Sequence, residues 1–154
     1  DFYIGKIIQY LKDNNLTLNV LMHPQFEKYS EQLTGNDENV KFQSTTKVEI
    51  PDLIAKSKFL ITDFSSVAVD FLFQKKNVVF YQYNKYASHH VPSKQIRYEE
   101  IGEVVANLEE LFATLNKFKD NQFALLPEYE NSYERLYEVK QNIRETIVNK
   151  IKEI

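Results

Sequence analysis

Short apolar runs alternate with helical patterns along this chain of 154 residues. The runs have the length of buried strands, and they lie at residues 18–22, 40–44, 59–62 and 77–83. Each of the first three is followed by a turn and then by a predicted helix. Parallel strands need helical crossovers, so this alternation favours the α/β class, with a Rossmann-like parallel sheet that carries helices on both faces.

Helical spacing and turn residues predict the remaining elements. The predicted helices span residues 4–11, 25–33, 51–57, 66–73, 108–118 and 133–151. A long polar loop over residues 84–100 and a short strand at residues 103–105 complete the pattern. The chain starts without Met, shortly before its first helix, so we expect residues 1–154 to be a single domain cut from a longer protein.

Composition excludes several classes of function. The net charge of −3 gives no electrostatic reason to expect nucleic acid as a partner. Cys is absent, so disulfides and thiolate metal sites are excluded. His89 and His90 would point opposite ways in an extended segment, with no third ligand at a recognisable spacing, so we expect no metal and no cofactor. No apolar run approaches the roughly 18 residues of a membrane span.

Ligands of open α/β sheets bind beyond the carboxyl ends of the strands. The residues that follow the predicted strands are therefore the candidates for a binding site: His23, Ser44, Thr45, Asp63, Ser65 and Ser66. Together they offer an imidazole, a carboxylate and several hydroxyls, with little charge to repel a phosphate.

The segment from Asp63 to Ser66 joins a predicted buried strand directly to a predicted buried helix. Backbone N–H groups at a helix start and two small hydroxyls can hold a phosphate without the glycines of a P-loop. Ordinary helix capping explains the same residues, since Asp and Ser are preferred there. His23 can likewise be interpreted in two ways. It could contact a phosphate oxygen or act as a general acid/base, or it could make a purely structural hydrogen bond at the end of a strand.

Several motifs occur in an order that resembles one known family. In chain order they are Met22-His23-Pro24, Phe59-Leu60-Ile61-Thr62-Asp63-Phe64-Ser65-Ser66-Val67, Asp70-Phe71, Val78-Val79-Phe80-Tyr81-Gln82-Tyr83-Asn84 and Asn131-Ser132-Tyr133-Glu134-Arg135. The set is similar in order and spacing to the motifs of the CDP-glycerol glycerophosphotransferase (teichoic acid polymerase) family. The likeness covers residues 20–137.

The resemblance implies a GT-B-type enzyme with two Rossmann-like domains, of which this chain would be the C-terminal half. An acceptor hydroxyl would attack the β-phosphate of a CDP-linked donor, and CMP would leave. Carried over by position, His23 and Asp63 would be the catalytic residues. His23 would be a general acid/base or a phosphate contact, and Asp63 a base, a partner of His23 or a helix cap. Ser65 and Ser66 would hold the diphosphate, and Arg135 would contact substrate.

The resemblance also implies partners and a location. The donor would be a small CDP-linked molecule, and the acceptor would be a lipid-linked polymer reached through a missing N-terminal domain. The enzyme would work in the cytoplasm at the inner face of the bacterial membrane, through peripheral contact, on teichoic acid or capsule. The isolated fragment is expected to fold without turning over.

Two departures leave the transferred group open. Residues 92–100 lack the glycine- and aromatic-rich pattern of the family, and Glu103 replaces its usual proline. Glycerol phosphate, ribitol phosphate or a sugar phosphate all remain candidates. A CMP-sugar-dependent capsule glycosyltransferase and a non-catalytic nucleotide-binding module are the alternatives. A receiver-like domain phosphorylated at Asp63 is disfavoured, because it would need Mg²⁺-binding acids where this chain has His23-Pro24.

Overall fold

A computed structural model of the chain describes residues 2–21, 37–44, 46–83, 95–137 and 142–153. The chain folds as two compact units, Asp1–Ser57 and Lys58–Ile154. Each unit is described by itself below, and its elements are numbered in chain order. The expectation of one domain over residues 1–154 stays a prediction.

In its described part, the first unit contains two parallel strands and two helices. They are α1 (Phe2–Asp13), β1 (Leu18–Leu21), β2 (Val40–Gln43) and α2 (Ile50–Lys56). Strands β1 and β2 pair in register from Leu18 opposite Val40 to Leu21 opposite Gln43. The buried apolar side chains of this unit are Leu11, Leu16, Val40 and Ile54. Pro51 lies in the first turn of α2, where its missing N–H costs nothing.

In the described part of the second unit, three strands alternate with four helices and two short 3₁₀ segments. They are β3 (Phe59–Thr62), α3 (Val67–Phe73), β4 (Asn77–Tyr81), a 3₁₀ turn (Tyr98–Glu100), β5 (Glu103–Val105), α4 (Leu108–Asp120), a 3₁₀ turn (Pro127–Tyr129), α5 (Glu130–Leu136) and α6 (Ile143–Lys152). The predicted bounds of β3 and β5 are confirmed. Strand β4 is shorter than predicted, and the segment predicted as a polar loop contains the first 3₁₀ turn.

Strand β4 is the centre of the second unit's sheet, which has the order β3-β4-β5 and is parallel throughout. Its residues from Asn77 to Phe80 are all buried, so both faces of the strand are covered. Helix α3 packs on β3 and β4, and α4 packs on β4 and β5. The predicted α/β class with parallel strands and packed helices is confirmed.

Asn77 ties the start of β4 to the segment that follows α4. Its side chain is fully buried; its Nδ2 donates to the carbonyl of Ala124 at 2.7 Å, and its Oδ1 accepts from the N–H of Leu126 at 2.9 Å. These bonds satisfy polar groups that would be costly to leave unpaired inside the protein. They hold a turn in which Gln122 and Phe123 adopt positive φ.

The predicted long C-terminal helix is wrong in one respect, because α5 ends at Leu136 and α6 begins at Ile143. Tyr137 has φ −121° and ψ 81°, outside the helical region. Its ring packs edge-on against Phe73, and its hydroxyl donates to the carbonyl of Val69 at 2.5 Å. Burial, followed by the nearby Asp70 carboxylate, raises the pKa of Tyr137 to about 12. A tertiary contact has therefore overridden the helical pattern.

No helix in the described ranges is both long enough and apolar enough to cross a membrane.

Candidate functional site

The segment from Asp63 to Ser66, called the serine turn below, connects the carboxyl end of β3 to the start of α3. Asp63 Oδ1 accepts a hydrogen bond from the N–H of Phe64 at 2.7 Å. Ser65 Oγ accepts a longer bond, 3.3 Å, from the N–H of Val67. The side chains of Asp63, Ser65 and Ser66 are exposed. Asp63 and Ser65 therefore use their side chains to fix the turn, and only the Ser65 bond reaches an N–H of α3.

Ser66 behaves differently from Ser65. It occupies the N-cap position of α3 with φ −66° and ψ −18°, and its side chain makes no capping bond. Among the described residues, no acceptor is found for the N–H groups of Ser65 and Ser66 or for the Ser66 hydroxyl. The Ser65 hydroxyl accepts a bond and keeps its proton for donation. The turn thus presents two N–H and two O–H donors to an anion.

Gln82 anchors the serine turn from the neighbouring strand. Its side chain is buried, and Nε2 donates to the carbonyl of Asp63 at 3.3 Å. The backbone N–H of Gln82 donates to the carbonyl of Val105 at 2.8 Å. One residue therefore links the carboxyl end of β3 to that of β5 across β4.

Tyr98 supports the turn from the 3₁₀ segment before β5. Its ring meets the Phe64 ring edge-on at 5.9 Å and the buried Phe80 ring at 4.7 Å, measured between centroids. Burial, and after it repulsion from the Asp63 carboxylate, raises the pKa of the Tyr98 hydroxyl above its ordinary value. The phenol thus stays neutral at physiological pH, close to the acid of the serine turn.

Glu100 lies two residues after Tyr98 and is bonded by two guanidinium groups. Arg97 Nε lies 3.0 Å from Oε1, and Arg135 Nη2 lies 2.6 Å from Oε2. The bond with Arg97, and then the bond with Arg135, hold the pKa of Glu100 below its ordinary value. Arg135, expected to contact substrate, is thus joined to the segment that supports the serine turn.

Ser44 lies at the carboxyl end of β2, in the first unit. Its hydroxyl is 2.8 Å from the Thr46 hydroxyl and accepts a bond from the N–H of Thr46 at 3.3 Å. Its carbonyl accepts from the N–H groups of Lys47 and Val48. Ser44 therefore organises the turn after β2, and its role in substrate binding stays a prediction.

Three groups of predicted residues cannot be placed. His23, Thr45 and the pair His89-His90 lie outside the described residues. In the described part of the chain, no group of three or more His, Asp or Glu side chains is placed to hold a metal ion.

Sequence reasoning missed Gln82 and Tyr98. Gln82 carried a detectable signal, because a polar residue within an apolar strand has to find a partner once it is buried. Tyr98 is an aromatic residue in a polar loop, and that loop offered no periodicity from which its contact with Phe64 could be inferred.

Comparison with known proteins identifies the family of the chain. Residues 2–153 match the sequence model of the family described as CDP-Glycerol:Poly(glycerophosphate) glycerophosphotransferase. The chain belongs to this family.

The chain is also 28% identical over 159 aligned residues to the minor teichoic acid biosynthesis protein GgaB of Bacillus subtilis (strain 168). The alignment covers 97% of this chain and 16% of GgaB, so the chain spans about one sixth of that relative's length. No solved structure matches the chain significantly. Family membership thus rests on sequence, and the α/β architecture rests on the structure.

Proposed function

We propose that this chain is a donor-binding part of a transferase that moves a polyol phosphate from a CDP-linked donor to a growing polymer. CDP-glycerol or a similar donor would be used, the polymer would be a teichoic acid or capsular chain, and CMP would be released. The proposal is supported by family membership over residues 2–153 and by the name of the relative GgaB.

The serine turn carries the proposal on the structural side. Its exposed N–H and O–H donors lie at the carboxyl end of a parallel strand, where α/β proteins bind ligands. A diphosphate has many acceptor oxygens and fits such a group of donors. Since α3 has only seven residues, we attribute binding to the donors of the turn rather than to the helix dipole.

The proposed reaction is a phosphoryl transfer in which one bond forms and one breaks. A hydroxyl oxygen of the acceptor forms a new ester bond to the β-phosphorus of the donor. The bond between that phosphorus and the bridging oxygen breaks, and CMP leaves with the oxygen. The acceptor proton passes to a base, for which His23 and Asp63 are the candidates. Ser65 and Ser66 would position the diphosphate and stabilise the charge on its oxygens.

Partners and location belong to the whole enzyme and follow from the same proposal. A lipid-linked acceptor would bind through a further domain, in a GT-B arrangement, at the inner face of the cell membrane. The 154-residue chain alone would bind donor but not turn over, because the acceptor side of the cleft would be missing. Turnover of CDP-glycerol by this chain alone would contradict that part of the proposal.

An NMR titration of the 154-residue chain with CMP, CDP-glycerol and UMP tests the proposal. We expect amide shifts centred on residues 63–67, stronger binding of the cytidine ligands than of UMP, and loss of affinity in His23→Ala. Absence of shifts with every nucleotide, on a spectrum of a folded protein, would contradict donor binding by this chain.

A further inference from the structure

The ion pair between Arg135 and Glu100 connects α5 to the segment that supports the serine turn. The two residues are 35 positions apart in the chain, and the Arg135 Nη2 to Glu100 Oε2 distance is 2.6 Å. Glu100 ends the 3₁₀ turn that begins with Tyr98, and the Tyr98 ring contacts Phe64 of the serine turn. Arg135 thus reaches the serine turn through a continuous series of contacts.

Arg135 can contribute to the binding of a phosphate in two ways. It can contact the anion itself, as a guanidinium often does. Alternatively, it can hold Glu100, and with it the segment on which Tyr98 lies. In the structure the Arg135 guanidinium donates to Glu100, whose other carboxylate oxygen accepts from Arg97.

We propose that Arg135 is a positioning residue, which sets the serine turn for diphosphate through Glu100 and Tyr98. This inference rests on the proposed function, because it names residues that the same donor site needs. The contact between the Tyr98 and Phe64 rings is where the position of the 3₁₀ turn affects the serine turn.

The surroundings of Tyr98 explain why the ion pair matters. The far end of the segment is held firmly, since a Cβ on Gly102 would lie 2.6 Å from the carbonyl oxygen of Val78. The N–H groups of Ile101 and Gly102 both donate to the carbonyl of Tyr98 at 3.0 Å. These bonds hold the backbone of Tyr98, so loss of the Arg135–Glu100 ion pair is expected to act on the Tyr98 side chain, whose ring meets Phe64.

The variant Glu100→Gln distinguishes the two roles of Arg135, because each role predicts an opposite change in the affinity for an anion. It removes a negative charge and releases two guanidinium groups, so direct binding by Arg135 would give equal or tighter binding of an anion. A positioning role requires weaker binding. With inorganic pyrophosphate and CDP as probes, we expect about fivefold weaker binding by calorimetry, the scale of one exposed ion pair.

Glu130→Gln is the matched control. Glu130 also lies on α5 and forms an exposed ion pair, with Lys75 at 3.1 Å, but that pair leads to the end of α3 away from the serine turn. We expect unchanged affinity for both probes in this variant. Amide shifts of Ser65 and Ser66 without ligand should move in Glu100→Gln and stay in place in Glu130→Gln, at similar melting temperatures.

Tyr98 provides the second pair of variants. Tyr98→Phe keeps the ring and should retain affinity, whereas Tyr98→Leu loses the ring contact and should weaken binding as Glu100→Gln does. Unchanged or tighter binding in Glu100→Gln, with a wild-type chain that binds CDP, would overturn the inference alone. A folded wild-type chain that binds neither probe would overturn the proposed function and the inference together.

Discussion

Gln82 Nε2 donates a hydrogen bond to the backbone carbonyl of Asp63, at a distance of 3.3 Å and across 19 positions of the chain. Gln82 is buried at the carboxyl end of the central strand, while the side chain of Asp63 is exposed. A buried side chain of the sheet thereby holds the backbone from which the exposed serine side chains project. Rigid support of this kind is what keeps a binding site in its productive geometry.

Gln82→Leu should weaken donor binding and lower the free energy of unfolding. Leu keeps the approximate volume but cannot donate, so the carbonyl of Asp63 loses its partner at a cost of about 1 kcal/mol. Urea denaturation measures the stability, and calorimetry with CDP measures the affinity. The control is Gln9→Leu, which removes an exposed bond to Asp13 within α1 and should change neither by much. Equal effects of the two variants on CDP binding would contradict the anchoring role.

Ser66→Ala should weaken binding of CDP and of pyrophosphate while leaving the free energy of unfolding nearly unchanged. The Ser66 hydroxyl makes no capping bond, so its removal costs the fold little. Ser65→Ala should affect both properties, because it also removes the bond to the N–H of Val67, worth about 0.5–1 kcal/mol. If Ser66→Ala bound both ligands as tightly as the wild type, the Ser66 hydroxyl would have no role in binding and the turn would serve only to start α3.

Gly102→Ala and Gly5→Ala should change stability in opposite directions. A Cβ on Gly102 would lie 2.6 Å from the Val78 carbonyl oxygen and 3.1 Å from the Phe80 ring, so the buried backbone must shift. Such overpacking costs about 1–3 kcal/mol. Gly5 lies in α1 with nothing within 4 Å of an added Cβ, so Ala should stabilise the helix by about 0.5–1 kcal/mol. Thermal denaturation of both variants checks the signs.

Acid should remove the contribution of Glu100 to stability. Its pKa is held below the ordinary value, first by Arg97 and then by Arg135, so the folded state favours the carboxylate. The contribution is therefore complete above the unfolded pKa and is lost as the pH falls through the lower folded value. The stability difference between wild type and Glu100→Gln, measured by urea denaturation from about pH 6 to about pH 3, should shrink toward acid pH. A difference that is constant over this range would contradict the ion pair.

Local sequence patterns were sufficient to predict much of the secondary structure of the second unit. The strands Phe59–Thr62 and Glu103–Val105 have the predicted bounds. The serine turn was likewise recognisable, since the residues between a strand and a helix determine how the helix starts. Ser44, Asp63 and the two serines were singled out by their place after a strand, and the roles of Asp63 and the serines came from the family resemblance.

The sequence by itself determined the parallel α/β class, the order of the strands and the residues of the serine turn. All of these follow from spacing and composition within about ten residues of chain. Only the tertiary structure decided what supports that turn and where the C-terminal helix breaks. Gln82 reaches Asp63 across 19 positions, Arg135 reaches Glu100 across 35, and Tyr137 reaches Val69 across 68. Contacts between residues so far apart depend on how the elements pack, and no local pattern encodes them.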